Sequence, residues 1–123
     1  MPVQYAVDGR LVRMELEGVY APDDIISTFS AALEDPELPE HPRFLLDVTR
    51  SQVIAQRSAD ELRSVAEVFA AHAQHFGGRC AVVVGEPVQF GLVRMAGAFI
   101  ESDSVVVEVF GNPDDAKAWL ESG

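Results

Sequence analysis

With 123 residues, 48% apolar and 24% charged, the chain has the length of one domain and the composition of a globular protein rather than a disordered one. A formal net charge of −11 argues against nucleic acid, whose phosphates need a basic surface, and against a polybasic membrane patch. No run reaches the roughly eighteen apolar residues of a spanning helix, and "MPVQYAVDGR" lacks the basic-then-apolar pattern of a leader, so a cytoplasmic chain without membrane insertion is expected.

The first element is a β-hairpin, "VQYAVDGRLVRMELEG", with Asp8-Gly9 expected as the turn pair. Its second run alternates. Val12, Met14 and Leu16 share a buried face, while Arg13, Glu15 and Glu17 share a wet one on which Leu11 is the odd apolar residue. "APDDIISTFSAALED" reads as a helix, with Pro22 in its first turn and Asp23 and Asp24 at the positive end of its dipole. Ile25, Ile26, Phe29, Ala32 and Leu33 form its inward stripe, and "PELPEHP" ends it.

"RFLLDV" is a short apolar strand of the kind covered on both faces. A loop from Asp47 to Ser58 should follow, then a helix opened by a capping box of Ser58 and Glu61 and closed by Gly77-Gly78. Its stripe is Leu62, Val65, Ala66, Phe69, Ala73 and Phe76. "CAVVVG" is a second buried strand. Its Cys80, the only cysteine, suits a reducing compartment and reads as an inert core thiol. Pro87 opens a helix to about Glu101, "SVVVEVF" is the last strand, and "NPDDAKAWLESG" is a final helix capped by Asn112 and anchored by Trp119 and Leu120. The order ββαβαβαβα implies an α/β domain over residues 1–123. Its five-stranded sheet is mixed and parallel apart from the first strand, with four helices and right-handed crossovers.

Catalytic signatures are missing. There is no Walker loop, no dinucleotide fingerprint and no nucleophile elbow, so no cofactor and no enzymatic activity are expected. His72 and His75 have a metal-compatible spacing, but no further ligand set completes it.

Two segments carry more signal. In the 88–100 helix, Phe90, Val93, Gly97 and Ile100 form one apolar face, and Leu92, Met95, Ala96 and Phe99 form another. A helix apolar nearly all round must be covered on more than one side: by a second subunit, by a bound apolar ligand, or by the final helix with Trp119. Arg94 on that surface should pair with a carboxylate or meet a ligand's acidic head group. The second segment is the 47–58 loop, with Asp47, Thr49, Arg50, Ser51, Arg57 and Ser58. It leaves the carboxyl end of a central strand and enters a helix amino terminus, the edge where α/β sheets hold ligands and partners. It either holds an anion or an acidic partner segment, or its charges pair locally and Ser58 only caps. Val53 and Ile54, apolar among polar neighbours, read as contact residues.

Five segments in order, "EGVYAPDDI", "FLLDVT", "HFGGRCAVVVG", "FGLVRMAGAF" and "VFGNPDDAKAWL", make the chain resemble the SpoIIAA-like family of the STAS fold (sulfate transporter and anti-sigma-factor antagonist), related to the CRAL-TRIO lipid-binding fold. The resemblance covers essentially the whole chain. It implies a domain that binds protein partners and is not an enzyme. It also implies, for some members, a phosphorylated serine at the start of the helix after the third strand, which falls on or near Ser58. Those members carry Asp-Ser-[Ser/Ala]-Gly directly after the strand, whereas this chain has "DVTRSQVIAQRSADEL", with a longer loop and no glycine. The expectation is a non-catalytic binding module acting through the 47–58 loop and the 88–100 helix as a homodimer. The alternative is a carrier of a small apolar ligand or lipid in a cavity beside Leu92, Met95 and Phe99.

Overall fold

A computed structural model describes residues 3–52, 59–72, 78–98 and 106–122. The elements are β1 (Val3–Asp8), β2 (Leu11–Gly18), α1 (Pro22–Leu33), β3 (Arg43–Ser51), α2 (Ala59–Ala71), β4 (Arg79–Val83), α3 (Pro87–Ala98), β5 (Val106–Phe110) and α4 (Pro113–Glu121). They form one five-stranded sheet in the order β1-β2-β3-β4-β5. β1 runs antiparallel to β2, and every later pair is parallel, as the alternation of strands and helices implies.

This order decides where the helices go. Each crossover from β2 to β5 steps one strand in the same direction. Right-handed connections therefore bring α1, α2 and α3 to the same face. The larger core lies there, with Phe29 of α1 at its centre. Phe29 stacks on Phe69 of α2 with centroids 4.3 Å apart and meets Phe44 of β3 edge-on at 5.5 Å. α4 follows the last strand and closes the opposite face, where Ala116 and Leu120 pack on Leu45, Ala81 and Val83. Leu11 belongs to this second core, which explains the odd apolar residue on the polar side of β2. α4 therefore lies across the sheet from α3, which removes the final helix with Trp119 from the three covers open to an all-round apolar α3.

The end of α4 is held by cations that its own last turn lacks. Arg43, at the start of β3, donates to the Leu120 carbonyl, and Arg79, at the start of β4, donates to the Trp119 carbonyl. The Arg79 guanidinium also lies 4.9 Å from the Trp119 ring centre. Donors and positive charge satisfy the free carbonyls at a helix carboxyl end.

Two local expectations need correction. The hairpin turns on Gly9 and Arg10, since Asp8 pairs with Leu11. Gly9 has φ +62° and no other residue type has positive φ among the described residues, the pattern of a type II′ turn with glycine first. The strand expected to end at Val48 continues to Ser51. β4 pairs with β3 only as far as Asp47↔Val83, but the longer β2 continues through an irregularity between Glu15 and Glu17 to Gly18↔Ser51. Thr49, Arg50 and Ser51 are thus strand residues rather than loop residues. Among the described residues no helix is long and apolar enough to cross a membrane.

Candidate binding surface

The carboxyl ends of β2 and β3 hold a connected set of polar side chains. Asp47 turns one carboxylate oxygen, Oδ1, back on its own strand, where it accepts from Thr49 Oγ1 at 2.6 Å and from Thr49 N at 3.0 Å. Its other oxygen faces Arg13 Nη2 at 3.6 Å, while Arg13 Nε lies 3.2 Å from Glu15 Oε1. Arg50 reaches Glu17 at 3.9 Å, with both side chains largely in solvent. A cleft of about 60 Å³ lies among Arg13, Glu15, Glu17, Asp47 and Arg50. Asp47 therefore pairs with a β2 arginine, while Arg50 of its own strand pairs with Glu17. Exposed pairs of this kind contribute little stability, typically under about 1 kcal/mol.

Ser51 has a different partner. Its hydroxyl shares a 2.7 Å hydrogen bond with the hydroxyl of Tyr20, and Gln52 N donates to the Gly18 carbonyl at 2.9 Å. These bonds fasten the end of β3 to the connection between β2 and α1. Val19 in that connection is 70% exposed. Arg57, Ser58, Val53 and Ile54 lie outside the described residues, as does the capping box expected at Ser58.

Gln89 joins this edge to α3, and sequence reasoning assigned it no role. It is only 3% exposed. Its Oε1 accepts from Gly85 N at 2.8 Å, and its Nε2 donates to the Val48 carbonyl at 3.3 Å. The turn before α3 is therefore tied to β3, and a Cβ built on Gly85 would sit 3.6 Å from the Thr49 carbonyl oxygen. The available signal was a lone amide in an apolar helix, which must find partners if buried.

α3 packs against α2 and β5 and turns Gln89 and Val93 inward. Leu92 is half-buried. Phe90 and Met95 are 41% and 39% exposed, and Arg94 is exposed between them. Arg94 has no ion-pair partner among the described residues. Its exposure means the guanidinium does not carry the cost of a buried unpaired charge. The two expected faces are not kept apart: Phe90 and Val93, expected on one face, are exposed and buried respectively, and Met95 of the other face is exposed beside Arg94. Phe99 and Ile100, also expected on those faces, lie outside the described residues.

The reactive groups elsewhere are quiet. Burial pushes the Cys80 thiol up to about 12, so it stays protonated in the core as the sequence implied. His72 sits edge-on to Phe29 at 5.7 Å with Nδ1 2.9 Å from the Val68 carbonyl, and His75 lies outside the described residues.

No family model matches the chain, and no curated protein matches it. Among solved structures it is similar to an uncharacterized protein of the DUF3478 family, with a SpoIIAA-like fold, from Shewanella loihica PV-4. The two share a TM-score of 0.61 and 18% identity over 96% of this chain and 91% of the other. A likeness at that identity speaks for architecture and not for activity. The sheet order, the four helices and this neighbour together give the chain the SpoIIAA-like, STAS-type α/β fold that its sequence resembles.

Proposed function

We propose that the chain is a non-catalytic binding module whose contact surface is the open face of α3. The observation that carries this reading is the pairing of exposed Phe90 and Met95 around Arg94 on a helix whose inner side is pinned by Gln89. Large apolar side chains beside an arginine, on a rigid element, are the composition of interface centres. The hydroxyls at the β3 end support a binding role over chemistry, because they serve structure: Thr49 bonds to Asp47 and Ser51 to Tyr20.

The proposed partner is a second copy of the chain. A two-fold contact covers Phe90 and Met95 of both copies, and a chain of net charge −11 supplies carboxylates for Arg94. Light scattering tests this. The wild type is expected to run as a dimer and Phe90→Glu as a folded monomer, whereas a wild type that stays monomeric on concentration contradicts the reading.

A further inference from the structure

β1 is an edge strand that, among the described residues, pairs with β2 alone. Because Asp8↔Leu11 closes a two-residue turn, it is a hydrogen-bonded pair, and alternation directs the backbone groups of Val3, Tyr5 and Val7 away from β2. The Val3 carbonyl accepts from Thr28 Oγ1 of α1 at 3.4 Å, as an outward-pointing group would. Among the described residues no backbone–backbone bond reaches this outer side. Edges are commonly blunted by lysine, proline or a bulge. β1 has none of these, and its register with β2 runs unbroken from Val3 to Asp8.

A groove of about 290 Å³ runs beside this edge, lined by Val3, Gln4, Tyr5, Ser27, Thr28 and Ala31. Its surroundings carry one sign of charge. From Pro22 to Pro42, through α1 and the segment after it, the chain has six Asp and Glu residues and no Lys or Arg. Asp35 is brought to the groove by the 2.7 Å bond it accepts from Tyr5, and Asp24 lies one turn before Thr28 on α1. Neither carboxylate has an ion-pair partner among the described residues.

We infer that the β1 edge and the groove beside α1 receive an extended, basic segment of another protein, which adds to the sheet as a sixth strand. The backbone groups of β1 supply the ladder, alternate side chains of the segment enter the groove, and its cations meet the acidic rim. A second copy of this chain is disfavoured as occupant, because two such edges bring like charges together. This surface is separate from the α3 face and does not depend on it.

The probe is a labelled peptide of about seven residues, the length of an ordinary strand, alternating lysine and valine. Saturable binding by fluorescence anisotropy is expected, with amide shifts concentrated at Val3, Tyr5 and Val7. N-methylation of alternate peptide amides should weaken binding by about tenfold or more, since each blocks a ladder bond. The surface variant Ala31→Lys/Glu34→Lys, at two exposed positions, should weaken it comparably while keeping the wild-type circular dichroism. The inference is overturned by any of four results: no saturable binding, shifts centred on α3 instead, equal affinity for the N-methylated peptide, or β1 shifts that grow with protein concentration in the absence of peptide.

Discussion

Tyr20 Oη and Ser51 Oγ lie 2.7 Å apart, a side-chain bridge between the β2–α1 connection and the last residue of β3. Tyr20 is otherwise a core residue, so its ring is held by packing and its hydroxyl is left to anchor the strand end. Tyr20→Phe keeps the ring and removes this bond. A loss of about 1 kcal/mol in urea unfolding is expected, with faster amide exchange at Ser51 and Gln52. Unchanged exchange at those two amides would show that the bridge does not hold the strand end.

Gln89 is the corresponding tie for α3. Gln89→Leu fills similar volume but leaves Gly85 N and the Val48 carbonyl without their side-chain partner. A cost of about 1–3 kcal/mol is expected. If the tie orients the contact face, self-association should weaken more in Gln89→Leu than in Tyr20→Phe at equal loss of stability. Sedimentation velocity checks the comparison.

The far end of the sheet gives a third test. Arg79→Met keeps much of the aliphatic stem but removes the donor to Trp119 O and the charge over the indole. A destabilisation of about 1–2 kcal/mol is expected from the lost bond and ring contact. Arg79→Lys should recover only part of it, because an ammonium lacks the planar fork. Tryptophan emission of Trp119 reports the local change directly.

Tyr5 and Asp35 make stability depend on pH at both extremes. The hydrogen bond from Tyr5 holds the Asp35 carboxyl below its ordinary 3.8, and that bond together with the facing carboxylate holds the Tyr5 phenol above its ordinary 10.0. A lowered carboxyl stabilises above its unfolded pKa and loses that contribution as pH falls through the folded value. A raised phenol stabilises below its unfolded pKa and loses that contribution as pH rises through the folded value. The stability difference between wild type and Tyr5→Phe should therefore be flat across neutral pH, shrink below 3.8 and shrink again above 10.0. A difference that does not change with pH would show that the pair is not formed in solution.

Much of the fold can be read from particular residues. Val12, Met14 and Leu16 mark the core side of β2, and Asn112, bonded to Asp115 N at 2.9 Å, caps α4 as its type and position before Pro113 imply. The candidate surface is less legible, for two reasons. The length of β3 depends on its neighbour: Thr49, Arg50 and Ser51 are strand residues because β2 extends far enough to pair with them. The orientation of α3 depends on which side the sheet takes, and a helix that is apolar nearly all round carries no periodic mark of that side. The sequence therefore singles out Arg94 and Met95 without placing them, and the orientation rests on Gln89, whose side chain ties Gly85 to Val48.

On the proposed reading, two copies of the chain meet through the open face of α3. Sedimentation velocity of the wild type, Phe90→Glu and Val19→Glu tests it most directly. Val19 is the more exposed apolar residue at 70%, against 41% for Phe90, but it sits in the connection between β2 and α1. The wild type and Val19→Glu are expected to sediment as dimers and Phe90→Glu as a folded monomer. Dimers from all three proteins, or a monomeric wild type, would contradict it.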